Sequence, residues 1–269
     1  MSEIRSGEAP LVVGGLRRLV DERLFALGGW CCMPSAIGAE IMSASGSDWL
    51  GIDLQHGLIS DEQMRIMVLA AAIRRTPVLV RVPWNEPAAI MRVLDAGAEG
   101  VLVPMVNTAQ EAGRVVGACR YPPLGYRSWG AVRSELADRS YSPELGNKQS
   151  VCLVQIETVQ AVENLGAILD VPGVDGVVVG PADLTISHAG HTDGAASSPR
   201  DVAMIELIAS TCRERGRCAG IFCGNAVDAR RWRSVGYTLV VLSEDTALIA
   251  EGMARMLTAA REPGDTAKA

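Results

Sequence analysis

Eight short apolar runs alternate with longer helical segments along this chain of 269 residues, and that alternation limits the folds open to it. Several runs are nearly continuous in Val, Leu and Ile, which is typical of parallel strands buried on both faces. The predicted strands are Leu24–Cys32, Trp49–Leu54, Val78–Val82, Gly100–Met105, Val151–Ile156, Gly176–Val179, Ala219–Phe222 and Thr238–Leu242. The pattern predicts an α/β protein with a single (β/α)8 TIM barrel. A doubly wound sheet is the alternative, but no GxGxxG follows the first strand.

Helix signals separate the predicted strands. The N-terminal signals are Ser60 with Gln63, Asn107 with Gln110, and Ser198 before Pro199. Residues Val12–Glu22 predict an extra N-terminal helix ahead of the first strand. We therefore expect a flexible tail at 1–11, one barrel domain at 12–262 and a C-terminal tail at 263–269.

Composition narrows the class of function. A net charge of −6 and a pI near 5.2 argue against nucleic acid or an anionic membrane surface as a partner. The N-terminus lacks the apolar core of a signal peptide, and no apolar run reaches the roughly 20 residues of a membrane span. Seven cysteines without a CxxC pair predict small buried side chains in a reducing compartment. We expect a cytoplasmic protein.

Lysine is nearly absent from the chain. Only Lys148, in a polar segment, and Lys268, next to the C-terminus, occur among 25 basic residues. A Schiff-base mechanism needs a lysine in a desolvated pocket, so imine chemistry is close to excluded.

Two apolar runs end in an acidic residue, Glu157 and Asp183, and each acid is predicted to lie at the carboxyl end of a buried strand. A buried carboxylate needs a positive partner, and the carboxyl ends of barrel strands share one rim. Gln155 lies two residues before Glu157 and faces the same side of the strand. Hard oxygen ligands suit Mg²⁺ or Mn²⁺, so the pair predicts a divalent metal site. The alternative is a structural ion-pair network.

His56 and Arg81 follow other strands to the same rim. A neutral imidazole at pH 7 suits a general base, although a lone histidine is often only a structural hydrogen-bonding group. Arg81 is predicted to be a fixed cation that binds a substrate carbonyl or carboxylate. The alternative is a salt bridge to Glu157 or Asp53. Asp53 is predicted to orient polar groups of the second and third strands. His188 and His191, in the connection at 185–198, are predicted to be solvated loop residues.

Six motifs together resemble the HpcH/HpaI aldolase family, over about residues 12–260. They are Asp53-Leu-Gln-His56-Gly, Val80-Arg-Val-Pro-Trp-Asn85, Leu102-Val-Pro-Met105, Tyr121-Pro-Pro-Leu-Gly-Tyr-Arg127, Val154-Gln-Ile-Glu157-Thr and Gly180-Pro-Ala-Asp183-Leu. The resemblance implies a class II, metal-dependent pyruvate aldolase.

The resemblance also implies a role for each rim residue. His56 would be the catalytic base and Arg81 the stabiliser of the transition state. Glu157 and Asp183 would hold Mg²⁺ or Mn²⁺, with Co²⁺ as a further candidate. Gln155 and the backbone of Ala182 and Asp183 would contact the substrate.

Asp95 aligns with a family aspartate that raises the basicity of the catalytic histidine. Its position at the end of a helix places it at the opposite end of the barrel from His56. Either a neighbouring subunit supplies it or its role is structural. The family resemblance implies a homo-oligomer, a hexamer or trimer of dimers, which favours the first. Gln55 departs from the family, since many members have an acidic residue there.

The expected reaction is reversible cleavage of a 4-hydroxy-2-oxo acid to pyruvate and an aldehyde through a metal-stabilised pyruvate enolate. His56 would act on the C4 hydroxyl, and Arg81 would help hold the enolate. One alternative is an enolate enzyme that uses another electrophile, a CoA thioester or a pyrone. Another is a non-catalytic binder of 2-oxo acids.

Overall fold

The computed structural model describes residues 14–191 and 198–262. Eight parallel strands pair in chain order, and the last also pairs with the first, so the sheet closes into a barrel. The strands are β1 (Ala26–Cys31), β2 (Trp49–Asp53), β3 (Val78–Arg81), β4 (Gly100–Val103), β5 (Val151–Ile156), β6 (Gly176–Val179), β7 (Cys218–Phe222) and β8 (Leu239–Glu244). The closed sheet confirms the predicted (β/α)8 barrel and excludes the alternative of an open, doubly wound sheet.

Helices surround the barrel between its strands. They are α1 (Gly15–Asp21), α2 (Ala36–Ala44), α3 (Asp61–Ile73), α4 (Pro87–Asp95), α5 (Ala109–Cys119), α6 (Val132–Ala137), α7 (Pro143–Gln149), α8 (Val159–Glu163), α9 (Leu165–Leu169), α10 (Pro181–Ala189), α11 (Pro199–Glu214), α12 (Ala226–Val235) and α13 (Asp245–Arg261). Over residues 14–191 and 198–262, no helix has the length and apolar character needed to cross a bilayer. The predicted tails, 1–11 and 263–269, lie outside the described residues.

Helix starts differ from the sequence predictions at two places. The capping box of α5 is Thr108 with Glu111, one residue later than the predicted Asn107 with Gln110. Helix α10 begins at Pro181 and extends to Ala189, so the first part of the predicted 185–198 connection is helical. Proline suits the first helical position because its missing N–H would have no partner there.

The barrel interior is filled by two tryptophans that require glycine opposite them. Trp30 of β1 and Trp49 of β2 are both almost fully buried, and their rings meet edge to face at 6.5 Å. A Cβ atom at Gly51 would lie 1.8 Å from the Trp30 ring, and one at Gly28 would lie 2.2 Å from Trp49. Large and small residues therefore alternate across the two strands, which gives the interdigitated layers of a packed barrel.

Helix α1 closes the amino-terminal end of the barrel. Leu16 and Val20 are buried in the same cluster as the interior tryptophans. The backbone N–H of Leu16 donates to Glu99 at 2.8 Å, and Arg17 pairs with Asp175 at 2.7 Å. This end is thus plugged, and the open end lies at the carboxyl termini of the strands.

Candidate functional site

A cavity of about 600 Å³ opens at the carboxyl ends of the strands. The predicted site residues that line it are Asp53, His56, Arg81, Gln155, Ala182 and Asp183. They come from the ends of β2, β3 and β5 and from the start of α10, so residues up to 130 positions apart in sequence (53 to 183) share one rim.

Glu157 follows β5 directly and is a buried carboxylate. Its side chain accepts hydrogen bonds from the Met105 backbone N–H at 2.7 Å and from Gln155 Nε2 at 2.5 Å. Burial is the main cause that raises its pKa above the ordinary value, and the nearby charge of Asp183 raises it further. Met105 holds a left-handed backbone with φ of 55°, a strained conformation of the kind found at functional sites.

Asp183 lies in the first turn of α10 rather than at the end of β6, which corrects the sequence prediction. Both Asp183 and Ala182 are exposed towards the cavity. No side chain caps the start of α10, so its first N–H groups face the cavity side without a side-chain acceptor. A Cβ at Gly180 would lie 2.9 Å from Glu157 Oε2, so glycine lets the backbone approach the carboxylate closely.

Arg81 and Asp53 form a buried, two-pronged ion pair. Arg81 donates from Nε to Oδ1 at 2.9 Å and from Nη2 to Oδ2 at 2.5 Å. The β2–β3 register places the two residues side by side. Burial would raise the pKa of Asp53, but the hydrogen bonds and charge of Arg81 outweigh it and hold the pKa below the ordinary value. The salt bridge to Asp53 considered in the sequence analysis is therefore present, and it fixes the guanidinium beside the cavity.

His56 lies on the turn after β2, exposed to the cavity. Asp53 shapes this turn by accepting the backbone N–H groups of Gln55 at 2.9 Å and of His56 at 3.3 Å. A Cβ at Gly57 would lie 2.3 Å from the Asp53 carbonyl oxygen, so only glycine fits this tight turn. One carboxylate thus positions both the histidine and the arginine, consistent with its predicted orienting role.

Asp95 is not brought to this cavity within one chain. It ends α4 and receives a hydrogen bond at 2.7 Å from Arg127, whose side chain is buried. It lines a separate surface cavity with Met91 and Gly130. The structure of one chain therefore leaves His56 and Asp95 apart, as their places on a strand end and a helix end predict.

The rim carries oxygen atoms that suit a hard divalent cation. Over the described parts of the chain, no group of three or more His, Cys, Asp or Glu side chains could hold a metal. Two carboxylates, Glu157 and Asp183, interact at the rim, and Gln155 Oε1 is buried without a hydrogen-bond partner there. A hard divalent cation such as Mg²⁺ takes oxygen ligands and keeps several waters, so two carboxylates together with oxygens of a bound ligand suit its coordination.

One wall of the cavity was not predicted from the sequence. It is formed by side chains in the last residues of β7 and β8 or just after β1, β7 and β8, and they are Cys32, Phe222, Cys223, Ser243, Glu244 and Thr246. The rule that strand ends carry the site also applies to these strands, so Glu244 was visible as the acidic end of β8.

His188 is not the solvated loop residue that the sequence predicted. It lies on α10, its side chain is 8% exposed, and its Nε2 lies 2.7 Å from Oδ1 of the buried Asp201. Asp201 also accepts hydrogen bonds from Ser198 and Thr185, so it joins α10 to the start of α11. His191 is exposed.

Known proteins resemble this chain in sequence and in fold. Residues 27–251 match the HpcH/HpaI aldolase/citrate lyase family. A 4-hydroxy-2-oxo-heptane-1,7-dioate aldolase of Salmonella typhimurium is 37% identical over 84% of this chain and 86% of its own. An HpcH/HpaI family structure from Burkholderia cenocepacia J2315 superposes with a TM-score of 0.86 at 30% identity, covering 93% of this chain and all of its own. The structure of the citrate synthase SbnG has a TM-score of 0.82 at 26% identity, covering 93% and 98%. The chain belongs to the HpcH/HpaI aldolase/citrate lyase family.

Proposed function

We propose that this chain is a divalent-metal-dependent class II aldolase that reversibly cleaves a 4-hydroxy-2-oxo acid into pyruvate and an aldehyde. One observation carries the proposal: Asp183, Arg81 and His56 line one cavity. The buried Glu157 carboxylate lies close enough to Asp183 and Arg81 for their charges to act on it. The relatives named 4-hydroxy-2-oxo-heptane-1,7-dioate aldolase support the same reaction class.

The position of lysine supports metal-dependent over imine chemistry. Lys148 lies on α7, is 70% exposed and pairs with Glu144 at 2.7 Å. Lys268, the other lysine of the chain, lies outside the described residues. An imine-forming lysine needs a desolvated pocket that lowers its pKa, and Lys148 has a solvated, ion-paired setting instead.

Glu157 and Asp183 would hold the cation, for which we propose Mg²⁺ or Mn²⁺, with Co²⁺ as a further candidate. When bound, the cation supplies a Lewis acid for the carboxylate and keto oxygens of the 2-oxo acid. Gln155 and the N–H groups of Ala182 and Asp183 at the start of α10 would contact the same end of the substrate.

Arg81 would stabilise the negative charge that develops on the pyruvate fragment. Its Nε and Nη2 atoms are engaged by Asp53, so the guanidinium is fixed before substrate arrives. Rings of Trp30 and Phe222 lie 5.4 and 5.5 Å from the guanidinium carbon and restrict it further. A preorganised cation costs no reorganisation when charge develops, which is the basis of electrostatic catalysis.

His56 would act as the general base in cleavage. Its imidazole removes the proton of the C4 hydroxyl, and the C4–O bond becomes the aldehyde carbonyl. The electron pair of the C3–C4 bond passes into the enolate of pyruvate, beside Arg81. A proton then adds to C3 to give pyruvate, and synthesis runs the same steps in reverse.

A homo-oligomer, a hexamer or trimer of dimers, is part of the proposal. Helix α13 supports assembly, because its only buried residue is Asp245 and it exposes several large apolar side chains. They are Leu248, Ile249, Met253, Met256 and Leu257. Asp95 is partly exposed beside Leu69 and Leu136, both exposed apolar residues, so a neighbouring subunit could receive it. On this account Asp95 assists His56 of an adjacent subunit.

The cytoplasm is the proposed compartment. All seven cysteines are free and five are buried. Burial raises the pKa of Cys31 and Cys212 to about 12, which keeps them as inert thiols. Small molecules, a 2-oxo acid and an aldehyde, are the proposed partners.

Cleavage of a 4-hydroxy-2-oxo acid, followed as pyruvate release, tests the proposal. His56→Ala, Arg81→Ala and removal of metal with EDTA should each abolish or strongly reduce it, by about 10²–10³ for a lost electrostatic group. Borohydride treatment with pyruvate should label no residue. Full activity in EDTA-stripped enzyme would rule out the metal role. The control for the two substitutions is Glu262→Gln, at an exposed site near the end of the described chain, which should retain wild-type activity.

A CoA thioester as electrophile is not favoured. Of the described residues that line the cavity, Arg81 is the only arginine or lysine, and Asp53 engages it. The phosphate groups of a CoA ester need more positive charge at the mouth of the cavity than this one paired arginine supplies.

A further inference from the structure

Glu244 is an acidic residue in the cavity that the proposed mechanism does not use. It ends β8, is exposed, and lines the same cavity as Arg81 and Asp183, which lie at the end of β3 and after β6. Its Oε1 accepts a hydrogen bond from Thr246 Oγ1 at 2.9 Å, and its Oε2 lies 3.7 Å from Cys32 Sγ. Two neighbours therefore hold the carboxylate in one orientation.

The neighbours of Glu244 do not neutralise its charge. Over residues 14–191 and 198–262, no arginine or lysine forms an ion pair with it. The Cys32 thiol stays protonated as a donor, since burial and the nearby acids Asp53 and Glu244 raise its pKa to about 12. The other side chains of this wall are apolar or neutral, among them Phe222, Cys223 and Ser243.

The barrel geometry places the aldehyde part of the substrate against this wall. Arg81 on β3 and the carboxylates after β5 and at the start of α10 surround the pyruvate end. His56, after β2, would lie by the C4 hydroxyl in the proposed reaction. The substrate chain beyond C4 therefore extends over the remaining part of the cavity lining, which β7, β8 and β1 provide.

We propose that Glu244 selects a neutral aldehyde as the acceptor and discriminates against an aldehyde that carries a terminal carboxylate. The inference rests on the proposed aldolase function. A 1,7-dioate substrate would release 4-oxobutanoate along with pyruvate, and the carboxylate of that aldehyde would meet the fixed charge of Glu244. Like charges repel, and no second cation in the described lining offsets them. A hydroxyl or alkyl tail fits the same wall, because Glu244 accepts hydrogen bonds and Phe222 offers apolar contact.

Aldol addition of pyruvate to two matched aldehydes tests the inference. The acceptors are 4-oxobutanoate and its methyl ester, which have the same carbon chain with and without the charge. Wild-type enzyme with Mg²⁺ should use the ester with kcat/KM about tenfold above that of the acid, the size expected for one nearby like charge. The difference should shrink at high salt, where charges are screened.

Glu244→Gln should remove the discrimination by raising kcat/KM for 4-oxobutanoate about tenfold while the ester changes little. Glu251→Gln, the same charge change at an exposed site of α13, should leave the ratio as in wild type. Equal use of both aldehydes by wild type, or a ratio unchanged in Glu244→Gln, would overturn the inference. If the variant fails to fold, the salt dependence of the wild-type ratio decides instead.

Exchange of the C3 protons of pyruvate in heavy water separates this inference from the proposed function, because exchange needs no aldehyde. Exchange with no discrimination between the aldehydes defeats only the role of Glu244. Absence of both exchange and aldol addition would defeat the proposed function itself.

Discussion

A single carboxylate, Asp53, positions both the arginine and the histidine of the candidate site. It holds Arg81 through two hydrogen bonds and the His56 turn through two backbone N–H groups. Sequence placed all three residues on one rim, but the contact between Asp53 and Arg81 depends on the β2–β3 register. Register comes from the packing of the whole barrel, so the sequence left this pairing as an alternative.

Asp53→Asn should lower the free energy of unfolding at pH 7 by about 3–5 kcal/mol, because it leaves the buried Arg81 charge without a partner. The pKa of Asp53 is lowered in the folded state, so its contribution is present above the ordinary carboxyl pKa. That contribution is lost as the pH falls through the lowered pKa, and the variant should lose this part of the acid dependence.

Urea denaturation across the acidic range measures the effect of Asp53→Asn. Asp170→Asn is the control, since Asp170 is 66% exposed in its pair with Arg215 and should contribute at most about 1 kcal/mol. An Asp53→Asn variant as stable as the control would show that the pair does not hold the rim together.

Helix α10 carries Asp183 in its first turn and is held in position by contacts with α11. Asp201 accepts hydrogen bonds from Ser198 Oγ at 2.6 Å, Thr185 Oγ1 at 3.0 Å and His188 at 2.7 Å. The sequence indicated the Ser198 cap and the proline that follows it. It could not indicate that Asp201 also reaches back to α10, because that contact forms only when the two helices pack.

Asp201→Ala should weaken Mn²⁺ binding and lower stability together. Loss of the capping box alone should cost about 1 kcal/mol, and the freed α10 should hold Asp183 less firmly. Calorimetric titration with Mn²⁺ measures the first effect and thermal unfolding the second. In Asp201→Asn, which retains part of the hydrogen bonding, both losses should be smaller. Unchanged Mn²⁺ affinity in the alanine variant would confine Asp201 to a structural role.

Strands β1 and β2 depend on glycine for the packing of the barrel interior. Gly51→Ala should lower the free energy of unfolding by about 3 kcal/mol or more, because its Cβ would lie 1.8 Å from the Trp30 ring. Thermal unfolding measures this, with Gly113→Ala as the control, since no atom lies within 4 Å of a Cβ there. Equal melting temperatures for the two variants would contradict the packing described for the interior.

One chain by itself does not bring Asp95 and His56 together. Asp95 lines a separate surface cavity and accepts a hydrogen bond from Arg127. Helix α13 exposes an apolar face. The sequence placed Asp95 at the amino-terminal end of the barrel, because the carboxyl end of a helix lies at the opposite end of the barrel from the carboxyl ends of the strands. The contacts between subunits follow from surface shape, which no single-chain pattern encodes.

Mixed oligomers test whether Asp95 acts across subunits. His56→Ala and Asp95→Asn should each be inactive alone, and co-assembly should restore part of the activity by joining one intact His56 with one intact Asp95. Light scattering should give the same molar mass for both variants and wild type. A mixture that stays inactive would assign Asp95 a structural role with Arg127.

Glu157 and Asp183 are proposed to support a metal-dependent pyruvate enolate beside Arg81 and His56. Deuterium incorporation at C3 of pyruvate in heavy water, followed by proton NMR, measures formation of this enolate. Exchange should occur with Mg²⁺ or Mn²⁺, stop in EDTA and return when metal is restored. Exchange should be absent from Glu157→Gln even with metal present. Exchange that persists in metal-stripped wild type, or in Glu157→Gln, would contradict this proposal.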